Sequence, residues 1–156
     1  MDGFPGHAED CRTVASKTQS LFTLARANRA LVLVRRIVAD VTAEYARLQD
    51  LQEVLEHTQQ RGSVELHRRV HSDMTACQDR LQRCLEELAQ VGAELRDFAH
   101  GVVDFPALVS GRRVDLCWQA DEDRVGHWHE VGACAAGRRP IRELTRREAR
   151  AVAERR

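Results

Sequence analysis

Apolar residues recur every three or four positions from Leu24 to Leu55. One set runs Leu24, Leu31, Val38, Tyr45 and Gln52, and its partner set runs Ala27, Val34, Val41, Leu48 and Leu55. Alternating steps of three and four keep both sets on one face of a helix, which makes a seam for a second helix. Thr23 stands just ahead of the first seam residue and is the expected N-cap. Gly62 and Ser63 interrupt the run, and a second seam follows: His67, Met74, Leu81, Leu88 and Leu95, with Val70, Cys77, Cys84, Val91 and Phe98 between them. Two seamed helices joined by so short a break must fold back on each other. At 1.5 Å per residue each arm would be roughly 50 Å long. The pattern predicts a helical hairpin over residues 23–100, a long antiparallel two-helix coiled coil.

After His100 the period changes. The stretch GVVDFPALVSGRRVDLCWQADEDRVGHWHEV carries Gly and Pro punctuation, β-branched residues and both tryptophans. Two or three short strands are expected, near Val102–Asp104, Val114–Gln119 and Val125–Val131, with ADED turning the last two into a hairpin. The predicted fold is mainly α, with a small antiparallel β appendage over 101–135 at the open end of the arms. Residues 1–20 show no periodicity and read as a disordered leader. From Arg138 onward the chain carries eight arginines against three glutamates, a local +5, so the remainder carries −5 in a chain of zero net charge. Over the tail, 142–156, the apolar positions make a poor helical stripe.

Balanced charge argues against a general nucleic-acid coat, which needs a basic excess to neutralise phosphates; the Arg-rich tail is the one candidate for such binding. No apolar run is long enough to span a bilayer, and the first residues lack the basic and apolar regions of a secretion signal. The cytosol is the expected compartment. The five cysteines, Cys11, Cys77, Cys84, Cys117 and Cys134, are odd in number and contain no CxxC pair, so they read as reduced thiols. A two-helix hairpin has little core of its own, which favours a homodimer with the arms paired into four helices.

Four stretches in this order, LFTLARANRALVLVRR, GVVDFPAL, GRRVDLCW and HWHEVGACAAGRRPI, resemble the prokaryotic family called domain of unknown function 2203, over residues 21–141. The most specific matches are Asp104–Phe105–Pro106, Leu116–Cys117–Trp118, Trp128–His129–Glu130, and Gly137–Arg138 with Pro140. Ala136 and the QADED turn depart from the family pattern. The resemblance implies the fold and brings no activity with it.

Candidate chemistry concentrates in RVGHWHE. On a strand, His127 and His129 share one face, and Trp128 and Glu130 the other. Asp115 and Cys117 likewise share a face of the preceding strand. A register setting His129 beside Cys117, with Asp104 arriving from the first strand, would gather imidazole, thiol and carboxylate, the ligand types of zinc or a similar divalent ion. The metal candidates are His129, Glu130, Asp104 and Cys117. The bland alternative is a polar knot of His129, Glu130, Asp104 and Arg138 that ties the β unit to the helices. Cys117 as a nucleophile with His129 as base competes with Cys117 as a buried structural residue. Trp118 and Trp128 either stack a ligand or cover the base of the arms. At the hairpin tip, His67 and His71 have i, i+4 spacing, with Glu65 and His57 expected nearby. The HRRVH stretch lacks the glutamate of HExxH. The leading functional expectation is a non-enzymatic interaction or scaffold module; the alternative is a metal-binding protein or metal-dependent enzyme with its site around His129.

Overall fold

The structure, a computed structural model, describes residues 21–61, 63–133, 137–144 and 146. The leader, most of the tail, Cys11 and Cys134 lie outside the described residues. Helix α1 runs Leu24–Arg61 and α2 runs Val64–Val91. They are followed by β1 (Glu94–Asp97), β2 (Val102–Val109), β3 (Arg112–Gln119), β4 (His127–Glu130) and β5 (Arg139–Pro140).

The two helices lie antiparallel along the expected seam. Ala27, Leu31, Val34, Val38, Val41 and Leu48 of α1 are buried, as are Val70, Cys77, Leu81 and Leu88 of α2. Arg80 spans the arms, donating from Nε and one terminal nitrogen to the two oxygens of Glu44 at 2.7 and 3.0 Å. The seam drifts at the upper end: Gln52 is exposed and Leu51 packs against the core in its place. A straight helix turns slightly less per residue than a heptad repeat demands, so a fixed heptad reading slips with length. The ends are set by local chemistry. Thr23 Oγ1 accepts from Arg26 N at 3.2 Å, and Ser63 Oγ from Leu66 N at 3.1 Å. Both close the first turn of a helix.

The second arm is shorter than the pattern predicts. It stops at Gly92, whose φ of 93° is the left-handed C-cap, with its N–H bonded back to Leu88 and Ala89. Gly takes this conformation without the Cβ clash that other residues meet. Leu95 therefore lies on β1, and Phe98 lies in the following turn, its ring 5.5 Å from that of Tyr45. Both still pack on the core, so their apolar character fits the tertiary structure and not a helical seam.

The β part is larger than an appendage: a five-stranded sheet in the order β1-β2-β3-β4-β5, antiparallel throughout. The strand expected at 102–104 extends to Val109, and the ADED turn connects β3 to β4 as expected. Before α1, Phe22 bridges Ala107 and donates its N–H to Pro106 O at 2.7 Å. One face of the sheet packs Val103, Phe105, Ala107, Val114, Leu116, Trp118 and Trp128 into the same core as the helices. The seat is the first half of α1. Asn28 Oδ1 accepts from Val125 N at 2.9 Å, and Arg35 donates to the carbonyls of Glu122 and Asp123. Ile141 and Leu144, at the start of the Arg-rich segment, also join the core, and 141–144 is helical. Among the described residues no helix is long and apolar enough to cross a membrane.

Candidate metal centre

Strand alternation puts Asp104, Asp115, Cys117, His127 and His129 on the second face, away from the helices. This face carries polar groups, yet it is closed. Asp104 is 1% exposed, Cys117 0% and His129 2%. Cys117 lies opposite Asp104 across the β2–β3 ladder, while His129 lies opposite Asp115, and His127 opposite Cys117. The expected register, with His129 directly beside Cys117, is thus two residues off. The imidazole reaches the thiol diagonally instead, and one ligand atom from each of Asp104, Cys117 and His129 lies within 4.8 Å of the others.

His129 is held at both ring nitrogens. Nδ1 donates to the carbonyl of Glu130 at 2.8 Å, and Nε2 faces Asp104 Oδ1 at 3.0 Å. A backbone carbonyl only accepts, so the Nδ1 proton is fixed. Nε2 then faces a carboxyl oxygen, and the contact calls for a bridging proton or a metal ion. With protons alone, burial disfavours the imidazolium, but the hydrogen bonds to Asp104 and Cys117 and the Asp104 charge outweigh it, raising the His129 pKa to about 11. The other oxygen of Asp104 accepts from Arg96 Nε at 2.8 Å. Asp115 is 4.0 Å from Nδ1 and buried. Burial and the neighbouring Asp104 charge push its pKa up to about 6. Its Oδ2 has no hydrogen-bond partner. Burial likewise raises the Cys117 thiol pKa above its usual range. A sealed, protonated thiol is poorly suited to nucleophilic attack.

Two of the anticipated site residues stand elsewhere. Glu130 points to the other side of β4 and pairs with Arg112. Only its backbone carbonyl serves His129. The period-two alternation of the strand forces this, since adjacent side chains cannot share a face. Arg138 does not join His129 and Asp104 in a knot. It donates to both oxygens of Glu122 at 2.7 Å and approaches His127 Nδ1 at 3.3 Å. The role anticipated for Arg138 belongs to Arg96. That residue was hidden because the seam, read past Gly92, placed it on a helix; a glycine at the end of a periodic run is the signal for a stop there.

The tryptophans face the core. Trp118 donates its indole N–H to Glu122 O at 2.9 Å, and the guanidinium groups of Arg112 and Arg139 lie 5.9 and 5.5 Å from the Trp128 ring centroid. At the tip, Glu65 is taken up by Arg68 at 2.7 Å, and His57 Nδ1 bonds the Glu53 carbonyl of its own helix. His67 and His71 meet each other.

Comparison with known proteins gave no match to a curated protein or a solved structure. A family model described as "Uncharacterized conserved protein (DUF2203)" matches residues 20–141, which spans both arms, the whole sheet and every residue of the buried cluster. The chain belongs to this family, the uncharacterized conserved proteins DUF2203.

Proposed function

We propose that this protein binds one divalent transition-metal ion between Asp104, Cys117 and His129, with zinc the first choice. The observation that carries the reading is the convergence of a carboxylate oxygen, a thiol sulfur and an imidazole nitrogen within 4.8 Å of one another, all buried. These are the three ligand types of zinc sites. Charge supports it: carboxylate and thiolate balance a doubly charged ion, with the imidazole neutral. The surroundings support it as well. The Nδ1–H of His129 is tied to a carbonyl, which leaves the Nε2 lone pair for the ion, and Arg96 holds the far oxygen of Asp104. Such outer contacts orient metal ligands and fix the histidine tautomer.

The test is elemental analysis of protein purified without chelator, beside Cys117→Ala and His129→Ala. One ion per chain, lost in either variant, is the expected result. Chelator treatment of the unaltered protein guards against a misfolded variant, because removal of a bound ion lowers the melting temperature. A protein without metal, and with a melting temperature indifferent to both chelator and added zinc, overturns the reading. The cluster is then an ion-paired knot of His129, Asp104 and Arg96 in which His129 carries the charge.

A second reading, compatible with the first, is an interaction module that pairs with another copy through α1. Val32 and Leu33, adjacent on that helix, are 78% and 47% exposed. Exposed neighbouring apolar side chains suit a helix-to-helix contact. Sedimentation equilibrium of the protein and of Leu33→Glu tests it: a dimer that becomes a monomer supports it, and a monomer throughout removes it.

A further inference from the structure

Two further histidines stand together at the other end of the molecule. His67 and His71, one turn apart on α2, bring their Nε2 atoms to 3.2 Å, with ring centroids 4.7 Å apart and planes at 66°. The i, i+4 spacing stacks the two rings on one helical face. Hydrogen bonding satisfies this contact only if one Nε2 carries the proton and the other offers its lone pair. The same separation also suits two lone pairs aimed at one ion. Two nitrogens bound at 2.0–2.1 Å and set this far apart subtend about 100° at the metal, inside the range of tetrahedral and octahedral sites. The chelate needs little ordering. His67 is half-buried on the seam, and the helix is capped one turn earlier by Ser63. His71 is exposed, so the remaining coordination positions face solvent.

We propose that His67 and His71 form an open two-histidine chelate for an imidazole-seeking divalent ion such as nickel, copper or zinc. It is separate from the buried centre in place and kind: two nitrogens and open positions, where the sheet offers mixed nitrogen, oxygen and sulfur ligands and no exposure. Glu65 and His57 take no part, being held by Arg68 and by a backbone carbonyl. An ion here leaves positions for water or for a carboxylate or imidazole of another molecule.

The experiment is a calorimetric titration of the full chain with nickel ion after chelator treatment, repeated on His67→Ala, His71→Ala and His57→Ala. The expected result is one nickel at the tip, weakened about tenfold or more by either of the first two substitutions, since each removes half of the chelate, and unchanged by His57→Ala. His71 is exposed, and its variant should keep its circular dichroism spectrum. Nickel binding that is absent, or whose affinity and stoichiometry are the same in the unaltered protein as in both His67→Ala and His71→Ala, overturns the proposal. The comparison isolates the tip from the buried centre: nickel taken up between Asp104, Cys117 and His129 is the same in every variant and cancels, and the zinc content of His71→Ala reads the sheet site alone.

Discussion

Asp115 shows how one buried group sets the response to pH. Its pKa is raised in the folded protein to about 6 from an ordinary 3.8, so its charged form costs stability. The cost is fully present above pH 6 and fades as pH falls through 6 toward 4. In chelator-treated protein, Asp115→Asn should raise stability at pH 7.5 by about 1–2 kcal/mol, with the gain nearly gone at pH 4, as read by urea unfolding. His129 works in the opposite sense. Its pKa rises from 6.5 to about 11, so its stabilising contribution is complete below pH 6.5 and is lost as pH climbs through 11. Metal-free protein should therefore lose stability from pH 7 to pH 10, and His129→Gln should flatten that slope. Bound metal reverses the trend, because its ligands must shed protons and ligation strengthens with pH. Urea midpoints at pH 7 and pH 9.5, with and without zinc, separate the two states.

Between α1 and the sheet, a glycine controls the fit. Gly101 has φ of +64°, and a Cβ there would lie 2.6 Å from Val38 Cγ1 and 3.0 Å from the Ala120 Cβ. Left-handed backbone strain and a clash with packed atoms act together, so Gly101→Ala should cost about 2–4 kcal/mol, measurable as a lower urea midpoint. Gly111, in the β2–β3 turn, also has positive φ but meets nothing within 4 Å. Gly111→Ala should cost only about 1 kcal/mol, the conformational part alone. The contrast tests whether the sheet is seated on the helix as closely as the geometry states.

Across the whole molecule, the helical arms and the sheet share one core, and neither is complete alone. A peptide covering residues 24–91 keeps the α1–α2 seam but loses the sheet contacts made by Asn28 and Arg35. It also bares the part of Ala27, Leu31 and Val38 that the shared core covers. Circular dichroism should show it markedly less helical than the same residues in the full chain, since most helical stability in proteins comes from tertiary packing. A fully helical, cooperatively melting peptide would show that the arms fold independently.

The seam positions, the Thr23 and Ser63 caps and the strand alternation around Cys117 and His129 are local features and are legible in the residue order. Helical periodicity and the two-residue pleat follow from backbone geometry, and a cap needs only a side-chain oxygen within its own turn. Asp104, Cys117 and His129 could be picked out for the same reason, as residues of the right face. Adding Glu130 to them overrode the alternation that excludes it. Long-range packing sets the rest: His129 pairs across from Asp115, Arg96 and not Arg138 braces Asp104, and two further strands, β1 and β5, complete the sheet. Those outcomes depend on register and on contacts distant in sequence, where burial of a whole face outweighs the preference of any one segment. Leu95 shows it most plainly: a seventh-residue leucine with a helical pattern behind it becomes a strand residue, because Gly92 ends the helix and the sheet offers Leu95 a partner in Val103.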